Sequence, residues 1–179
     1  WLNAMAPTNF FLTNPVALGK YVETNGESLV RGLENFMRDA QAKNIRIVDE
    51  DAFKGGTDLA ITPGRVGFRN RLVELLHYTP TTAKVHRTPI VIITPWINKF
   101  YVLDLTPRRS MVKYLTDQGY SVFITSWKNP TADMAQVNFD NYLLEGVDQV
   151  VDVARKLSKS PQVHLAGYCI GGTLVATYM

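Results

Sequence analysis

The sequence predicts an α/β fold in which a mostly parallel sheet follows a helical N-terminal region. Three observations predict it. Short apolar runs, "IVIIT" (90–94), "YSVFITSW" (120–127) and "QVHLAG" (162–167), alternate with helical patterns. Such alternation builds a parallel sheet through right-handed crossovers. "IVIIT" is β-branched throughout and has no polar alternation, as expected of a strand covered on both faces. Finally, residues 1–45 show helical periodicity and helix-start signals.

In that first region, Asn14-Pro15 reads as a cap followed by proline at the first helical position. A second helix is expected after Thr24, with Glu27 completing a capping box. Its apolar positions, Leu29, Leu33, Phe36, Met37 and Ala40, share one face and are expected to be core. Residues 46–88 are punctuated by glycine and proline, as in "GGTDLAITPGRVGFRN". Val66 and Phe68, then "LVELLHY" (72–78), predict an antiparallel strand pair or edge. The acidic run "VDED" (48–51) is read as a solvated turn. Thr106, Pro107 and Gly119 frame a helix with Met111, Val112 and Leu115 on one side. "NYLLEGVDQVVDVARKL" (141–157) is a helix with Leu143, Val147, Val150, Val151, Ala154 and Leu157 inward. "GGTLVATYM" begins another. The chain thus divides into a helical region, 1–45, and an α/β core, 46–179.

Composition narrows the function classes. With 46% hydrophobic and 20% charged residues the chain can bury a sizeable core. A formal charge of +3, scattered along the chain, gives no basis for a nucleic-acid partner. The basic clusters "RNR" (69–71) and "PRR" (107–109) read as solvated faces, or as contacts for an anionic substrate such as a coenzyme A phosphate. The single cysteine forbids an internal disulfide and fits a reducing cytosol. No apolar run approaches the ~18 residues that suggest a transmembrane helix, and no signal peptide is read. No metal-ligand spacing occurs. Because Trp1 is not an initiator methionine and Met179 falls inside a predicted helix, the chain is expected to be a segment of a longer protein.

The chemistry concentrates in "GYCIG", Gly167 to Gly171, between a predicted strand and a predicted helix. This is the context of the nucleophile elbow of α/β-hydrolases, so the core is expected to be the first part of that fold. A sharp strand-to-helix turn strains the nucleophile's backbone and brings the residues two before and two after it together. Glycine at 167 and 171 removes the side chains that would collide, and Gly172 is expected to let the helix start pack on the sheet. The helix N-terminus favours a thiolate at Cys169. The Ile170 N–H can stabilise an oxyanion, and the loop "TPWINKFY" after residues 90–94 offers a second donor, for which Ile97 is the candidate. A lone cysteine is more often a small buried hydrophobe, but its place in this turn outweighs that base rate. A dinucleotide fingerprint would need glycine at 169 and a P-loop would need lysine at 173, so neither fits. None of His77, His86 and His164 is placed as the base. In α/β-hydrolases the acid and histidine follow the nucleophile, so both partners are expected beyond Met179.

Seven stretches together carry a family resemblance: "TNP" (13–15), "LAITPG" (59–64), "VGFRN" (66–70), "YTPTTAKVH" (78–86), "PWINKFYVLDL" (95–105), "SWKNP" (126–130) and "GYCIGGT" (167–173). Over nearly its whole length the chain resembles the N-terminal region and nucleophile elbow of the polyhydroxyalkanoate synthases, most closely class I, which act on short-chain substrates as one subunit type. Two departures, Asp58 for asparagine and Thr94 for proline, are read as not touching the thiol.

The resemblance implies that Cys169 is the nucleophile of an acyltransferase. This enzyme would polymerise (R)-3-hydroxyacyl-CoA, most simply 3-hydroxybutyryl-CoA, and release CoA. It implies no cofactor, since the CoA thioester is itself the substrate. The implied partners are the growing polyester chain, the polymer granule surface in the cytoplasm and a second subunit in a homodimer. The segment alone is expected to be inactive. The rival readings are a Cys169 thioesterase on the same fold and a non-catalytic module that binds granules or a partner.

Overall fold

The computed structural model describes all residues except Asn44, Arg46, Glu50 and Asp51. The chain forms two compact units, Trp1–Ala52 and Phe53–Met179.

The first unit holds helices α1 (Pro15–Glu23) and α2 (Glu27–Ala42). The Asn14 side chain accepts from the Val16 and Ala17 N–H groups, and Pro15 fills the first turn, where its missing N–H costs nothing. The expected capping box on α2 is not formed. Thr24 instead closes α1, its Oγ1 donating to Lys20 O at 2.7 Å and accepting from Ser28 N–H at 3.1 Å. The chain then turns through positive φ at Asn25 and Gly26, and α2 starts without a side-chain cap. The face expected to be core is exposed, Phe36 by 66% and Leu33 by 60%. Two helices make only two layers, and that stripe faces outward from them. Of the predicted "VDED" turn, Glu50 and Asp51 lie outside the described residues.

The second unit is a mixed α/β structure. Its sheet comprises β1 (Gly64–Arg69), β2 (Val73–Tyr78), β3 (Ile90–Ile93), β6 (Val122–Trp127) and β7 (His164–Gly167), in the order β1-β2-β6-β3-β7. A two-stranded ribbon of β4 (Asp104–Thr106) and β5 (Arg109–Ser110) stands apart. β3 pairs in parallel with both β6 and β7, so the three apolar runs are adjacent and parallel as their patterns require. β1 and β2 form the predicted antiparallel pair, with β1 at the edge.

Alternate residues of the central strands fill two cores. Val91, Ile93, Phe123 and Trp127 face Val147, Val150, Val151, Ala154 and Leu174. Ile92, Val122 and Ile124 face Val112 on the opposite side. Helices therefore cover both faces of the sheet, and β3 and β6 are almost wholly enclosed.

Two helices differ from the sequence expectation. α3 (Met111–Asp117) begins four residues later than Pro107, because Thr106 to Arg109 make the ribbon turn and Ser110 takes the cap, its Oγ accepting from Lys113 N–H. Its covered face is Val112, Leu115 and Thr116, whereas Met111 is 49% exposed. The predicted helix at 141–157 is three segments, α4 (Phe139–Asn141), a π-helical stretch (Tyr142–Asp148) and α5 (Gln149–Ser158). Gly146 in the π stretch lies against the Trp127 ring, and the Glu145 carbonyl takes a bond from Asn70 Nδ2 at 2.7 Å. Leu157, expected inside, is half exposed because it lies over Gly67 of the edge strand β1. α6 (Ile170–Tyr178) follows β7 directly.

Candidate active site

The strand order reverses at β3. From β3 the chain passes to β6 on one side and then returns beyond β3 to β7 on the other. In open α/β sheets such a switch point opens a crevice at the carboxyl ends of the strands, where ligands bind. The turn from β7 to α6 stands at that end, and Cys169 is its central residue.

Cys169 has φ 55° and ψ −128°, a left-handed φ rarely adopted by a residue with a side chain. The strain is held by close packing on both sides. A Cβ on Gly167 would lie 2.4 Å from Gly172 Cα and 2.6 Å from Gly171 O. One on Gly171 would lie 2.1 Å from Ile93 O. Gly171, rather than Gly172, thus lets the helix approach the sheet; a Cβ at 172 would find nothing nearer than Gly167 O at 3.4 Å. The turn is fastened by Tyr168 N–H to Ile93 O at 3.0 Å, Gly171 N–H to Tyr168 O at 2.9 Å and Gly172 N–H to Cys169 O at 2.8 Å. The Ile170 N–H, first in the helix, has no intrahelical acceptor. The Cys169 side chain is exposed. At the far end of α6, Tyr178 donates to Asp148 at 2.8 Å, and burial followed by that bond raises its phenol above the ordinary range.

The loop after β3 lies at the same end of the sheet, since β3 and β7 run parallel in register. It carries Ile97, whose side chain is exposed. Beside it Trp96 packs on Tyr142, with ring centroids 4.6 Å apart, and on the edge of Phe139. These rings with Met134 and Val137 line a largely apolar hollow of about 350 Å³. Thr94, at the root of the loop, is fully buried, and its carbonyl carbon would stand 3.1 Å from a Cβ on Gly171. No local pattern signals this contact, because it joins residues 77 positions apart.

All three histidines sit at the other end of the sheet. His164 begins β7 and pairs with Ile90, which is also level with Val122 at the start of β6. His77 is level with Phe123, stacks on its ring at 4.2 Å and bonds Ser121 Oγ. His86 is tied through its N–H to Gly119 O and packs on Tyr120. At about 3.3 Å per strand residue, the span of β7 separates them from Cys169 by more than roughly 10 Å. The "RNR" cations are engaged: Arg69 pairs with Glu74 at 2.6 Å, and Arg71 grips Glu145 with both nitrogens of its fork. The Arg71 guanidinium holds the Glu145 carboxyl below its ordinary pKa. No helix among the described residues is long and apolar enough to cross a membrane.

Residues 1–115 match the family model described as "Poly-beta-hydroxybutyrate polymerase (PhaC) N-terminus". The chain is 42% identical over 177 residues to the poly(3-hydroxyalkanoate) polymerase subunit PhaC of Cupriavidus necator, covering 99% of this chain and 30% of that protein. It is 42% identical over 179 residues to the poly(3-hydroxyalkanoate) polymerase of Methylorubrum extorquens, covering 98% and 30%. Against poly(3-hydroxyalkanoate) polymerase 2 of Ectopseudomonas oleovorans identity is 37% over 176 residues, covering 97% and 31%. The chain spans about 30% of the length of these curated relatives.

Proposed function

The chain belongs to the family of the poly-beta-hydroxybutyrate polymerase (PhaC) N-terminus, and on that premise we propose that it supplies the nucleophile half of a polyester-forming acyltransferase of α/β-hydrolase fold. Cys169 Sγ attacks the thioester carbonyl carbon of a 3-hydroxyacyl-CoA. The carbon–sulfur bond to coenzyme A breaks, and CoA leaves as the thiol. The hydroxyl oxygen at the end of a growing chain then attacks the acyl-cysteine, forming an ester bond and returning the Cys169 thiol. The first exchange is thioester for thioester and nearly balanced in energy, and thiolate leaves readily in the second. The N–H groups of Ile170 and Ile97 stabilise the tetrahedral oxyanions. The base is drawn from outside residues 1–179, since each histidine here belongs to the opposite end of the sheet. No cofactor enters the reaction.

The observation that carries this reading is the positive φ of Cys169 at the start of α6, held there by Gly167 and Gly171. The largely apolar hollow beside Trp96 suits an acyl chain or polyester. The exposed apolar side chains of α1 and α2 suit a granule surface or a second subunit.

The test is made in a full-length polymerase carrying this segment. Cys169→Ala should abolish CoA release from 3-hydroxybutyryl-CoA while the protein remains folded, and Cys169→Ser should be poor, because a hydroxyl is barely ionised at neutral pH. Near-normal turnover in the alanine variant would overturn the assignment. Release of free 3-hydroxy acid in place of polymer would show a thioesterase.

A further inference from the structure

The polar groups of Thr94 and Thr125 are engaged far more completely than a β-sheet ladder requires. Both residues are fully buried. The Thr94 N–H donates to Thr125 Oγ1 at 2.9 Å, the Thr94 hydroxyl donates to the Thr125 carbonyl at 2.7 Å, and the Thr94 carbonyl accepts from Trp127 Nε1 at 2.7 Å. Every hydrogen-bonding group of Thr94 thus ends on β6. The regular β3–β6 pairing runs only from Ile90↔Val122 to Ile92↔Ile124. Side chains take over where the backbone ladder stops.

We infer that Thr94 and Thr125, with Trp127, form a buried clamp that positions the Cys169 turn and the Ile97 loop. The path is short and consists of rigid parts. Ile93 precedes Thr94, and its carbonyl accepts the Tyr168 N–H of the turn and lies against Gly171. Ile97 follows Thr94 by three residues, with Pro95 between. Sliding Thr94 along β6 would carry the Ile93 carbonyl into the space that Gly171 leaves open, and would move the Ile97 N–H relative to the thiol. Trp127 is itself immobilised, its ring resting on Gly146 and packed 5.2 Å from Tyr142. A valine at 125 would fill the same volume but leave the Thr94 N–H buried without an acceptor. Thr94 and Thr125 touch no substrate; they are positioning residues whose effect passes through the turn. The inference rests on the acyl-transfer reading of Cys169.

The test uses the full-length polymerase with Thr125→Val and Thr125→Ser. Thr125→Val should lower kcat by about 10- to 100-fold, the scale for misplacing reacting groups by ~1 Å. KM should change by less than about twofold, since binding is untouched. Thr125→Ser, which restores the acceptor, should recover most of the loss. Hydrogen exchange by mass spectrometry should show the amides of Thr94, Trp96, Ile97 and Asn98 opening about 10-fold faster in Thr125→Val, the scale of one lost hydrogen bond. Wild-type kcat in Thr125→Val, or a serine variant no better than valine, overturns the inference. Should Thr125→Val fail to fold, the wild-type protein decides: the Thr94 amide must exchange more slowly than those of Ile97 and Asn98, and equal rates refute the clamp. Absence of CoA release from the wild type sinks the acyl-transfer reading instead, and leaves amide exchange to judge the clamp.

Discussion

Replacing Gly171 by alanine places a methyl group 2.1 Å from the Ile93 carbonyl oxygen and 2.8 Å from its carbon. A comfortable carbon–oxygen contact is about 3.3 Å, so the overlap is roughly 1.2 Å. Ile93 cannot yield, because it is fully buried in β3 between β6 and β7. The start of α6 must move outward, stretching the Tyr168 N–H to Ile93 O bond. Overpacking of this kind costs about 1–3 kcal/mol and a weakened hydrogen bond about 1 kcal/mol more. Alanine's helix propensity returns about 1 kcal/mol. The net expectation is a loss of about 1–3 kcal/mol. Gly172→Ala is the matched control: its nearest neighbour would be Gly167 O at 3.4 Å, and the same propensity gain leaves it neutral or slightly stabilised. Urea unfolding of the two variants beside the wild type measures the difference. Equal stability of the two alanine variants would refute the argument that the Gly171–Ile93 approach holds the turn.

Gly146→Ala should also destabilise, by about 2 kcal/mol, because its Cβ would fall 2.5 Å from Trp127 Cη2 and the ring is held on its other side; thermal unfolding gives the value, and an unchanged melt would show that the π-helical stretch relaxes. His77 should make stability fall on the acid side. Burial first, and the Arg65 charge second, lower its pKa from the ordinary 6.5, so the folded state favours the neutral ring. That contribution is present above pH 6.5 and is lost as the pH falls below it. His77→Gln should flatten the decline of Tm between about pH 7.5 and about 5, and an unaltered slope would place the effect elsewhere.

Local physics made much of this molecule legible in the sequence. Asn14-Pro15 starts a helix because the side chain and the ring satisfy the first turn without outside help. The apolar runs at 90–94, 120–127 and 162–167 became adjacent parallel strands because unalternated apolar surface needs cover on both faces. Gly167, Cys169 and Gly171 announced the turn through their spacing together with their place between a predicted strand and a predicted helix. Tertiary structure decided what depends on contacts distant in sequence. It left Leu33 and Phe36 exposed, since a periodic stripe records a preference for burial but not whether a partner arrives. It put the π-helical stretch where Gly146 meets Trp127, and it gave the sheet-packing role to Gly171 rather than Gly172. It also joined Thr94 to Thr125, 31 residues on, and sent the three histidines to the end opposite Cys169. Neither placement could be read from spacing, because strand register and order are set by the packing of the whole sheet.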